Sequence, residues 1–583
     1  MKYDDLIVNE LGGFGRYQKV QLLLVTLPYI AASMQLLSWT FTAAVLPHRC
    51  AYSFSEDNYS HQRNFTTTSY VNATDVEIQH QSQFSDAFNE SRQCLIHYVN
   101  ETIPSFVILI HDQVYDQIGE ESKVKVTTTE YFCTKWQYDY SEISNSAVSR
   151  WDMVCGRQWI RAAIQSLYYI GQALGSAILG FVGDRNGRKP AFMLAVTIFT
   201  ISGSLMAYMP WLGVFAVLRL LGGIADPGLS VLPHVICAEM VGPSKRYITG
   251  LAAGIFFAVG QVILCCLAYA IRDYQHLQLA ISLPNFLLLT YFWLLPESAR
   301  WLISQGRRRS AERIVKRVAR FNNIQFRENW MDRFDEQETA GKMSGLEDCV
   351  SSKRYTFVDV FRYPVPRRRI LIQAFCFPAT NLIYYGISMN PNFLGGDRYI
   401  SFMLAALAEM PGTLIAALGA NRLGRKPVCI VGFTSSGLLM IATIFIDRKS
   451  INVLMFLVTL AKIAISATFV IEYTWTPELF PTVLRSQALG LCSMAARIGG
   501  IAASFSVMLL VDYSREAVVV IFACCSLLAA SLSILQPETS GLPLSDTIVE
   551  IENTAHQQTS VLLKLQKQRK SPGADNALTA EGY

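Results

Sequence analysis

The residues of this sequence that could do chemistry are ionisable side chains placed inside long apolar runs. Arg497, Lys462, Glu409, Glu472 and Asp226 each lie in an otherwise apolar segment that, at about 20 residues, is long enough to cross a bilayer as a helix. A lone charge at the centre of such a helix costs about 2.5–3.5 kcal/mol on insertion scales, so these residues are functional candidates by default. The sequence therefore predicts a site for an ionic ligand inside a membrane.

The mixture of charges favours a ligand that carries both signs. An arginine guanidinium can hold a carboxylate through two parallel hydrogen bonds, so Arg497 is the expected carboxylate anchor. Glu409 or Glu472 can attract an ammonium group, and the rings of Tyr384 and Tyr385 can pack against that cation.

Two further residues extend this predicted site, and the main assignments have structural alternatives. Lys462 is a second intramembrane cation, and Gln165 can add a polar contact. Arg497 has small residues such as Gly500 and Ser504 at helical spacing, a stripe that can face water or pack against another helix. Arg497 could thus instead be buried in a structural ion pair, and the tyrosines could serve in helix packing or at the membrane interface.

These residues require a membrane-spanning scaffold, and the composition provides one. The chain has 583 residues, of which 51% are hydrophobic and only 16% charged, compared with about 25% charged residues in soluble domains. Twelve apolar runs are expected to span the membrane, so the predicted fold class is an all-α membrane protein. The runs cover 21–46, 159–182, 190–209, 211–236, 248–271, 277–295, 370–389, 399–420, 427–446, 452–475, 486–511 and 516–535.

The loop between the first two runs, 47–157, has the features of an extracellular segment. It contains five N-x-S/T sequons, a pattern confined to this loop, and four cysteines. Clustered sequons and an even number of cysteines are typical of an oxidising, extracellular compartment, and two disulfides are expected with three possible pairings. The sequons begin at Asn58, Asn64, Asn72, Asn89 and Asn100, and the cysteines are Cys50, Cys94, Cys133 and Cys155.

The loop 297–369 is expected to be cytoplasmic. It carries 17 Lys and Arg against 10 Asp and Glu, whereas the first loop carries 8 against 15. Lys and Arg accumulate in cytoplasmic loops, and an even number of spans then places both termini in the cytoplasm. The predicted organisation is a cytoplasmic N-terminus 1–20, a six-helix half 21–296, the central loop 297–369, a second six-helix half 370–537 and a disordered cytoplasmic tail 538–583.

The two halves share short motifs. DRNGRKP at 184–190 returns as NRLGRKP at 421–427, each time in the short loop between the second and third run of its half. PES at 296–298 likewise matches PET at 537–539. Two parallel repeats of six helices are an architecture of secondary transporters.

These motifs carry a family resemblance. The two GRKP loops, PESARWL and PELFPTVLRS resemble the major facilitator superfamily, and the long first loop with NELGGFGRYQ and LQLAISLPNF resembles its organic cation, organic anion and carnitine transporters. At the position of Arg497 the organic anion and carnitine members have Arg, whereas the cation members have an acid. Lys462 resembles the carnitine members, Glu409 matches an acid of the cation and carnitine members, and Glu472 matches no motif. The resemblance is closest to the carnitine, zwitterion-type members.

The resemblance also implies ion pairs at the cytoplasmic helix ends. In such transporters these pairs latch the outward-open state and break when the protein opens inward; the alternative is that they only anchor helix ends among the lipid headgroups. The second copy is the weaker candidate because Asn421 replaces the acid there. The residues expected to form the pairs are Asp184, Arg185, Arg188, Glu239 and Arg246 in the first half and Arg422, Arg425, Glu478 and Arg485 in the second.

The sequence thus predicts a plasma-membrane transporter that moves a small organic cation or zwitterion, such as carnitine, by alternating access. It is not expected to be an enzyme, to need a cofactor or metal, or to bind nucleic acid; its expected partners are the substrate and membrane lipid. The coupling ion, Na⁺ or H⁺, is left open. The alternatives are a pure organic cation carrier, an organic anion carrier and a non-transporting ligand sensor with the same fold. A sugar porter is disfavoured because charges of both signs suit an ionic substrate.

Overall fold

The structure is a computed structural model, and it describes residues 13–50, 65–71, 95–99, 107–110, 113–116, 124–132, 135–241, 246–324, 359–389, 396–447, 449–481, 484–540, 548 and 551–552. Their packing separates two units. One comprises residues up to 41 together with 162–271 and the chain from 275 onward, and the other comprises 42–161 with 272–274.

Long helices joined by short connections form the first unit. The first predicted run is three consecutive helical segments; Pro28 lacks an N–H to donate, and the backbone at Leu27 and Ser38 between the segments stays right-handed helical. In chain order the helices up to Leu294, of which α4 belongs to the second unit, are α1 (Arg16–Thr26), α2 (Pro28–Leu37), α3 (Trp39–Thr42), α4 (Ala147–Arg150), α5 (Trp159–Asn186), α6 (Arg188–Met206), α7 (Leu212–Met240), α8 (Arg246–Ala270), α9 (Tyr274–Ser282) and α10 (Tyr291–Leu294). A 3₁₀ segment, Leu283–Thr290, joins α9 to α10.

The second half repeats this arrangement. Its α18 continues through a π-helical turn, Ser506–Leu510, into the short α19. The remaining helices are α11 (Ala299–Ser304), α12 (Arg308–Phe321), α13 (Asp359–Arg362), α14 (Pro364–Met389), α15 (Arg398–Arg422), α16 (Arg425–Ala442), α17 (Ile451–Leu479), α18 (Arg485–Phe505), α19 (Val511–Tyr513) and α20 (Arg515–Ile534).

The helices have the length and surface of membrane spans. Eleven helical stretches in the described part of the chain are long and apolar enough to cross a bilayer, with α1–α3 counted as one stretch and α9–α10 as another. The twelfth predicted run is α16, which has 18 residues, begins with the charged pair of RKP and packs against α17 and α20. Large apolar side chains such as Phe181, Leu287 and Phe445 are exposed, as expected of lipid-facing surfaces. The predicted all-α membrane fold is confirmed.

The second unit contains short antiparallel strands that the sequence analysis did not predict. β1 (His48–Cys50) pairs with β7 (Trp136–Tyr138), and β6 (Val124–Phe132) lies between β2 (Phe65–Val71) and β3 (Leu95–Val99). β4 (Val107–Ile110) pairs with β5 (Gln113–Asp116). In register, His48 faces Tyr138, Phe65 faces Glu130 and Leu95 faces Phe132. The β-branched segments FTTTSYV and VKVTTTEYF carried this signal in the sequence.

The predicted modification sites fall almost entirely outside the described residues. This holds for all five sequon asparagines, for Cys94 and Cys133, and for the side chain of Cys50. Cys155 is disulfide-bonded, and its Sγ lies 3.9 Å from Nε2 of His48.

Part of the predicted central loop and of the predicted tail belongs to the helical unit. α12 buries Val315 and Ala319 against Tyr17 and Ala299, while its arginines face outward. Residues 325–358 lie outside the described part. Of the predicted tail, 538–540 pack on the second half, Ile548 and Ile551 are buried, and most of the rest is not described.

Candidate functional site

An ion pair buried in the second half joins two of the predicted site residues. The Nζ of Lys462 on α17 lies 3.0 Å from Oε1 of Glu409 on α15, and both side chains are almost fully buried. The ammonium also donates to Oγ of Ser388 at 2.6 Å and lies 3.2 Å from the ring centroid of Tyr384. Tyr384 in turn donates its hydroxyl to Glu409 at 2.5 Å. We call this group, Glu409, Lys462, Tyr384 and Ser388, the cation seat, because it encloses an ammonium with a carboxylate, a hydroxyl and an aromatic face.

The first half reaches the cation seat through one glutamine. Nε2 of Gln261 on α8 donates to Oε2 of Glu409 at 2.8 Å, and the bond is buried. Both carboxylate oxygens of Glu409 are therefore hydrogen-bonded, one of them across the boundary between the halves. A buried carboxylate with a cation and two further donors is well compensated.

Arg497 forms a second charged group, again with a glutamine of the first half. Its Nη1 donates to Oε1 of Gln172 on α5 at 2.8 Å, and Nε2 of Gln172 donates to Oδ2 of Asp226 on α7 at 2.6 Å. Tyr168 donates to the other oxygen of Asp226 at 3.1 Å. Gln172 thus lies between a guanidinium and a carboxylate, which fixes its amide orientation. We call Arg497, Gln172 and Asp226 the anion seat, because the guanidinium can donate its hydrogen bonds to a carboxylate in place of the amide oxygen.

Aromatic rings connect the two seats. Tyr384 and Tyr385 are neighbours in sequence and their ring centroids lie 5.1 Å apart, and Tyr385 also lies 5.2 Å from Tyr169 of the first half. Phe469 stacks on Tyr384 at 5.0 Å. Arg497 interacts electrostatically with Tyr385, and its side chain remains partly accessible. The two charged seats are therefore separated by a short aromatic wall.

Glycines allow α18 to place Arg497 against its neighbours. A Cβ on Gly499 would collide with the carbonyl oxygen of Pro378 on α14. A Cβ on Gly500 would lie 2.8 Å from the ring of Tyr169. Of the predicted small stripe beside Arg497, Gly500 packs against a neighbouring helix, as small residues in membrane helices commonly do, whereas Gly490 is exposed with open space beside it.

Two predicted site residues lie apart from these seats. Gln165 is buried between Arg219, whose Nη2 donates to its Oε1 at 2.9 Å, and the carbonyl oxygen of Leu36 at 3.4 Å. Glu472 is buried within the second half, where the hydroxyl of Thr380 lies near it without hydrogen-bond geometry. The structure therefore brings together Arg497, Glu409, Lys462, Tyr384 and Tyr385.

The first copy of the predicted latch holds helix ends within the first half. Arg188 contacts Asp184 at 2.6 Å and Glu239 at 3.5 Å, and its backbone N–H donates to Glu297 at 2.9 Å. Arg185 is exposed, and the side chain of Arg246 lies outside the described part.

The second copy has the same geometry with different partners. Arg425 contacts Glu478 at 3.0 Å and donates to Oγ of Ser540 at 3.1 Å, while Arg485 donates to the carbonyl oxygen of Pro477 and Arg422 is exposed. In the described residues, each of these contacts stays within one half. Whether they latch one transport state stays a prediction.

Glu538 takes the place in the second copy that Glu297 has in the first. Partial burial alone would raise its pKa, but the backbone N–H groups of Ser540, Arg425, Lys426 and Thr539 interact with its carboxylate and leave the pKa below its usual value.

Aromatic contacts join the halves near Phe41, where α3 leads into the first large loop. Phe41 stacks on Tyr399 with centroids 5.6 Å apart and meets Phe402 edge-on at 4.9 Å. Tyr269 packs edge-on against Tyr399 at 5.5 Å, and Cys265 contacts the carbonyl oxygen of Tyr399. The two halves are therefore in contact on this side.

Comparison with known proteins identifies the fold and the family. The sequence profile described as sugar (and other) transporter matches residues 100–549, and a chain named organic cation transporter protein from Drosophila melanogaster is 33% identical over 95% of both chains. The chain belongs to the sugar (and other) transporter family of the major facilitator superfamily. It is a multi-pass membrane transporter and not an enzyme.

Other relatives of this transporter are named as members of solute carrier family 22. Solute carrier family 22 member 6-B from Xenopus laevis is 28% identical over 95% of this chain and 96% of its own. Solute carrier family 22 member 3 from Rattus norvegicus is 32% identical over 72% of this chain and 74% of its own. The xylose transporter XylE from E. coli, in a partially occluded inward-open conformation, has a TM-score of 0.54 at 19% identity over 67% of this chain and 90% of its own, which shows the shared fold. The predicted family is confirmed; the carnitine-type subgroup is not.

Two glutamines were missed from the sequence: Gln172, which is part of the anion seat, and Gln261, which contacts the cation seat. Gln172 lies seven residues after Gln165, two turns further along α5, so both lie on a similar face. Gln261 lies in the middle of the apolar run 248–271. A polar amide inside an apolar run was the signal in the sequence, but it does not say which charge the amide meets.

Proposed function

We propose that this transporter moves small organic ions across the plasma membrane, and that its preferred substrate is a zwitterion with an ammonium group and a carboxylate. The observation that supports this most directly is the pair of seats of opposite polarity. The second half supplies Glu409 at one and Arg497 at the other, and a glutamine of the first half, Gln261 or Gln172, hydrogen-bonds each of these two charged side chains.

The cation seat already encloses an ammonium. Lys462 occupies it with a carboxylate oxygen at 3.0 Å and a ring centroid at 3.2 Å. A substrate ammonium needs the same partners, since cation–π attraction and an ion pair are both strong when desolvated. In this proposal the substrate cation replaces the ammonium of Lys462 beside Glu409.

The anion seat offers an exchange of the opposite sign. The guanidinium of Arg497 donates to a neutral amide, and a substrate carboxylate is a stronger acceptor for it because charge-assisted bonds are roughly twice as strong as neutral ones. Displacing Gln172 leaves its amide with Asp226 and removes one bond between the halves. Substrate binding then changes the relative stability of the conformations, which is what alternating access requires.

The proposed orientation follows from the loops. The segment 47–157 faces outward and both termini lie in the cytoplasm, in keeping with the excess of basic residues in 297–369. The aromatic contact of Phe41 with Tyr399 then closes the extracellular side. Relatives named for organic cation transport and for solute carrier family 22 support an organic ion as the substrate class.

The test is radiolabelled uptake by cells that express the chain. Carnitine, tetraethylammonium and para-aminohippurate are compared, with counterflow of each from preloaded cells. We expect carnitine to be carried best, because it fills both seats. Uptake of para-aminohippurate alone would overturn the proposal, as would binding of carnitine without any counterflow, which identifies a sensor.

A pure organic cation carrier is the second candidate. It is favoured by the cation seat, which is complete in this structure, whereas Arg497 is held by a neutral amide. Uptake of tetraethylammonium with no uptake of carnitine would select this function.

A further inference from the structure

Glu472 differs from the other acids inside the helices. It is 1% exposed, and neither of its carboxylate oxygens has a hydrogen-bond partner among the described residues. Glu409, by contrast, is bound by Lys462, and Asp226 by Gln172. Glu472 is thus a deeply buried carboxyl group that the two seats do not use.

The helices packed around Glu472 present thiols and a hydroxyl group to it. Cys376 and Thr380 come from α14, Cys429 from α16 and Cys492 from α18. Within the described residues, no group of three His, Cys, Asp or Glu side chains could hold a metal ion, so these thiols do not form a metal site with Glu472. The surroundings of the carboxyl are weakly polar and uncharged.

The charged groups on these helices are bound elsewhere or, like Arg367 and Arg368 of α14 and Arg422 of α15, are exposed. On α15 Glu409 pairs with Lys462, and on α18 Arg497 donates to Gln172. Near the cytoplasmic end, Arg425 of α16 donates to the carboxylate of Glu478. The other three cations there donate to backbone carbonyl oxygens: Arg369 of α14 to Leu479, Lys426 of α16 to Ile534 and Arg485 of α18 to Pro477. In the part of the chain described, none of these cations compensates Glu472.

An ionised carboxylate in such a place is strongly disfavoured. Removing a carboxylate from water costs several kcal/mol even after relaxation, and here the described residues supply neither a cation nor a hydrogen-bond donor in bonding geometry. A protonated carboxyl avoids most of this cost. Burial without a partner therefore favours the protonated form of Glu472 in this conformation.

Buried polar groups lie along α14 and α17 between Glu472 and the helix ends that the proposed orientation places in the cytoplasm. Gln373 Oε1 and Thr380 Oγ1 on α14, with Thr476 Oγ1 on α17, are buried and have no hydrogen-bond partner among the described residues. Thr476 lies one helical turn after Glu472 on α17. Glu478 follows on the same helix, about 9 Å from Glu472 along the helix axis. Buried polar groups are normally satisfied by protein or by ordered water, so these groups are suited to a hydrated path.

We propose that Glu472 is a proton-binding site that couples substrate movement to proton movement in the same direction. The carboxyl group is protonated when the transporter adopts the conformation closed by Phe41 and Tyr399. It then releases its proton toward the cytoplasm past the buried polar groups of Gln373 and Thr476. One proton accompanies each substrate. The inference rests on the proposed transport function for its substrate, but the proton site itself can be tested without one.

The transport test uses the full chain reconstituted in liposomes, with carnitine and tetraethylammonium as probes. An acid-outside gradient of one pH unit corresponds to about 1.4 kcal/mol and supports up to about tenfold accumulation at one proton per substrate. We expect accumulation in wild type. Glu472→Gln, which mimics the protonated acid, should lose it while keeping counterflow at equal pH, and Cys429→Ser in the same surroundings should behave as wild type.

Two results would overturn the coupling. One is counterflow in wild type with no response, or an opposite response, to the pH gradient. The other is a gradient response that persists in Glu472→Gln.

The infrared test needs no substrate. The carbonyl stretch of a protonated carboxylic acid should be present in wild type at neutral pH and reduced in Glu472→Gln. Identical bands in both proteins would refute the proton site, even if neither probe is transported. A lost band in the variant together with no transport of any probe would instead refute the proposed function and leave the proton site supported.

Discussion

The cation seat predicts a large loss of stability when Lys462 is replaced by methionine. The substitution keeps an unbranched side chain but removes the ammonium that lies 3.0 Å from Glu409 and 3.2 Å from the ring centroid of Tyr384. Breaking a buried pair from one side costs about 3–5 kcal/mol, because the remaining charge is buried without compensation. The two donors that remain on Glu409, Tyr384 and Gln261, are neutral and offset only part of this cost.

The loss should be recovered in two ways. The double variant Lys462→Met/Glu409→Gln leaves no buried charge at the seat and should regain most of the thermal stability, as expected for two coupled residues. Tetraethylammonium should stabilise Lys462→Met more than wild type, because the seat is then open to a ligand cation. The exposed Lys449→Met is the matched control and should change the stability by less than about 0.5 kcal/mol.

Thermal unfolding in detergent, with and without the ligand, measures these differences. A double variant as unstable as the sum of its single changes would refute the buried ion pair. Equal stabilisation of wild type and Lys462→Met by tetraethylammonium would refute the exchange of Lys462 for a substrate cation.

Three further predictions concern other parts of the molecule. Gln172→Leu removes the amide that competes with a substrate carboxylate for Arg497, and the bond that is lost, to a charged group, is worth about 1.5–3 kcal/mol. The KM for carnitine uptake should therefore fall about tenfold, while the KM for tetraethylammonium uptake stays constant. Equal changes in both KM values would contradict the anion seat. Phe41→Ala removes two ring contacts of about 0.5–1.5 kcal/mol each, so a membrane-impermeant thiol reagent should label Cys265 faster than in wild type, and unchanged labelling would argue against closure there. The pKa of Glu538 is lowered in the folded state, so the hydrogen bonds to its carboxylate stabilise the protein above the ordinary glutamate pKa and are lost as the pH falls through the folded-state pKa. Glu538→Gln should therefore lose less melting temperature on acidification than wild type. Identical acid profiles of the two proteins would refute this prediction.

The sequence predicted the membrane fold because apolar runs are a strong local signal. Helix ends were harder to place: α14 begins at Pro364 rather than at 370, because the basic segment RRR at 367–369 continues the helix beyond the apolar run. The strands of the first loop were missed, although FTTTSYV and VKVTTTEYF are rich in β-branched residues. Local composition strongly determines which segments span the membrane, but it determines the ends of their helices only weakly.

The charged residues show where sequence reasoning fails. Their depth is visible in the sequence, but their partners are set by the packing of helices far apart in the chain. Glu409 pairs with Lys462, 53 residues away, while Glu472 on the same helix as Lys462 lies about 15 Å further along it. Arg497 reaches Gln172 across 325 residues. No spacing rule in one sequence predicts such contacts.

The zwitterion claim is tested most directly by uptake of carnitine and tetraethylammonium in wild type and in Arg497→Asp, with surface expression measured for both. Arg497→Lys is the control that keeps the charge but loses the bidentate geometry. We expect wild type to carry carnitine, and we expect Arg497→Asp to lose carnitine uptake while it keeps tetraethylammonium uptake. Uptake of tetraethylammonium alone in wild type, unchanged in Arg497→Asp, would contradict the zwitterion claim and make Arg497 a structural link between the two halves.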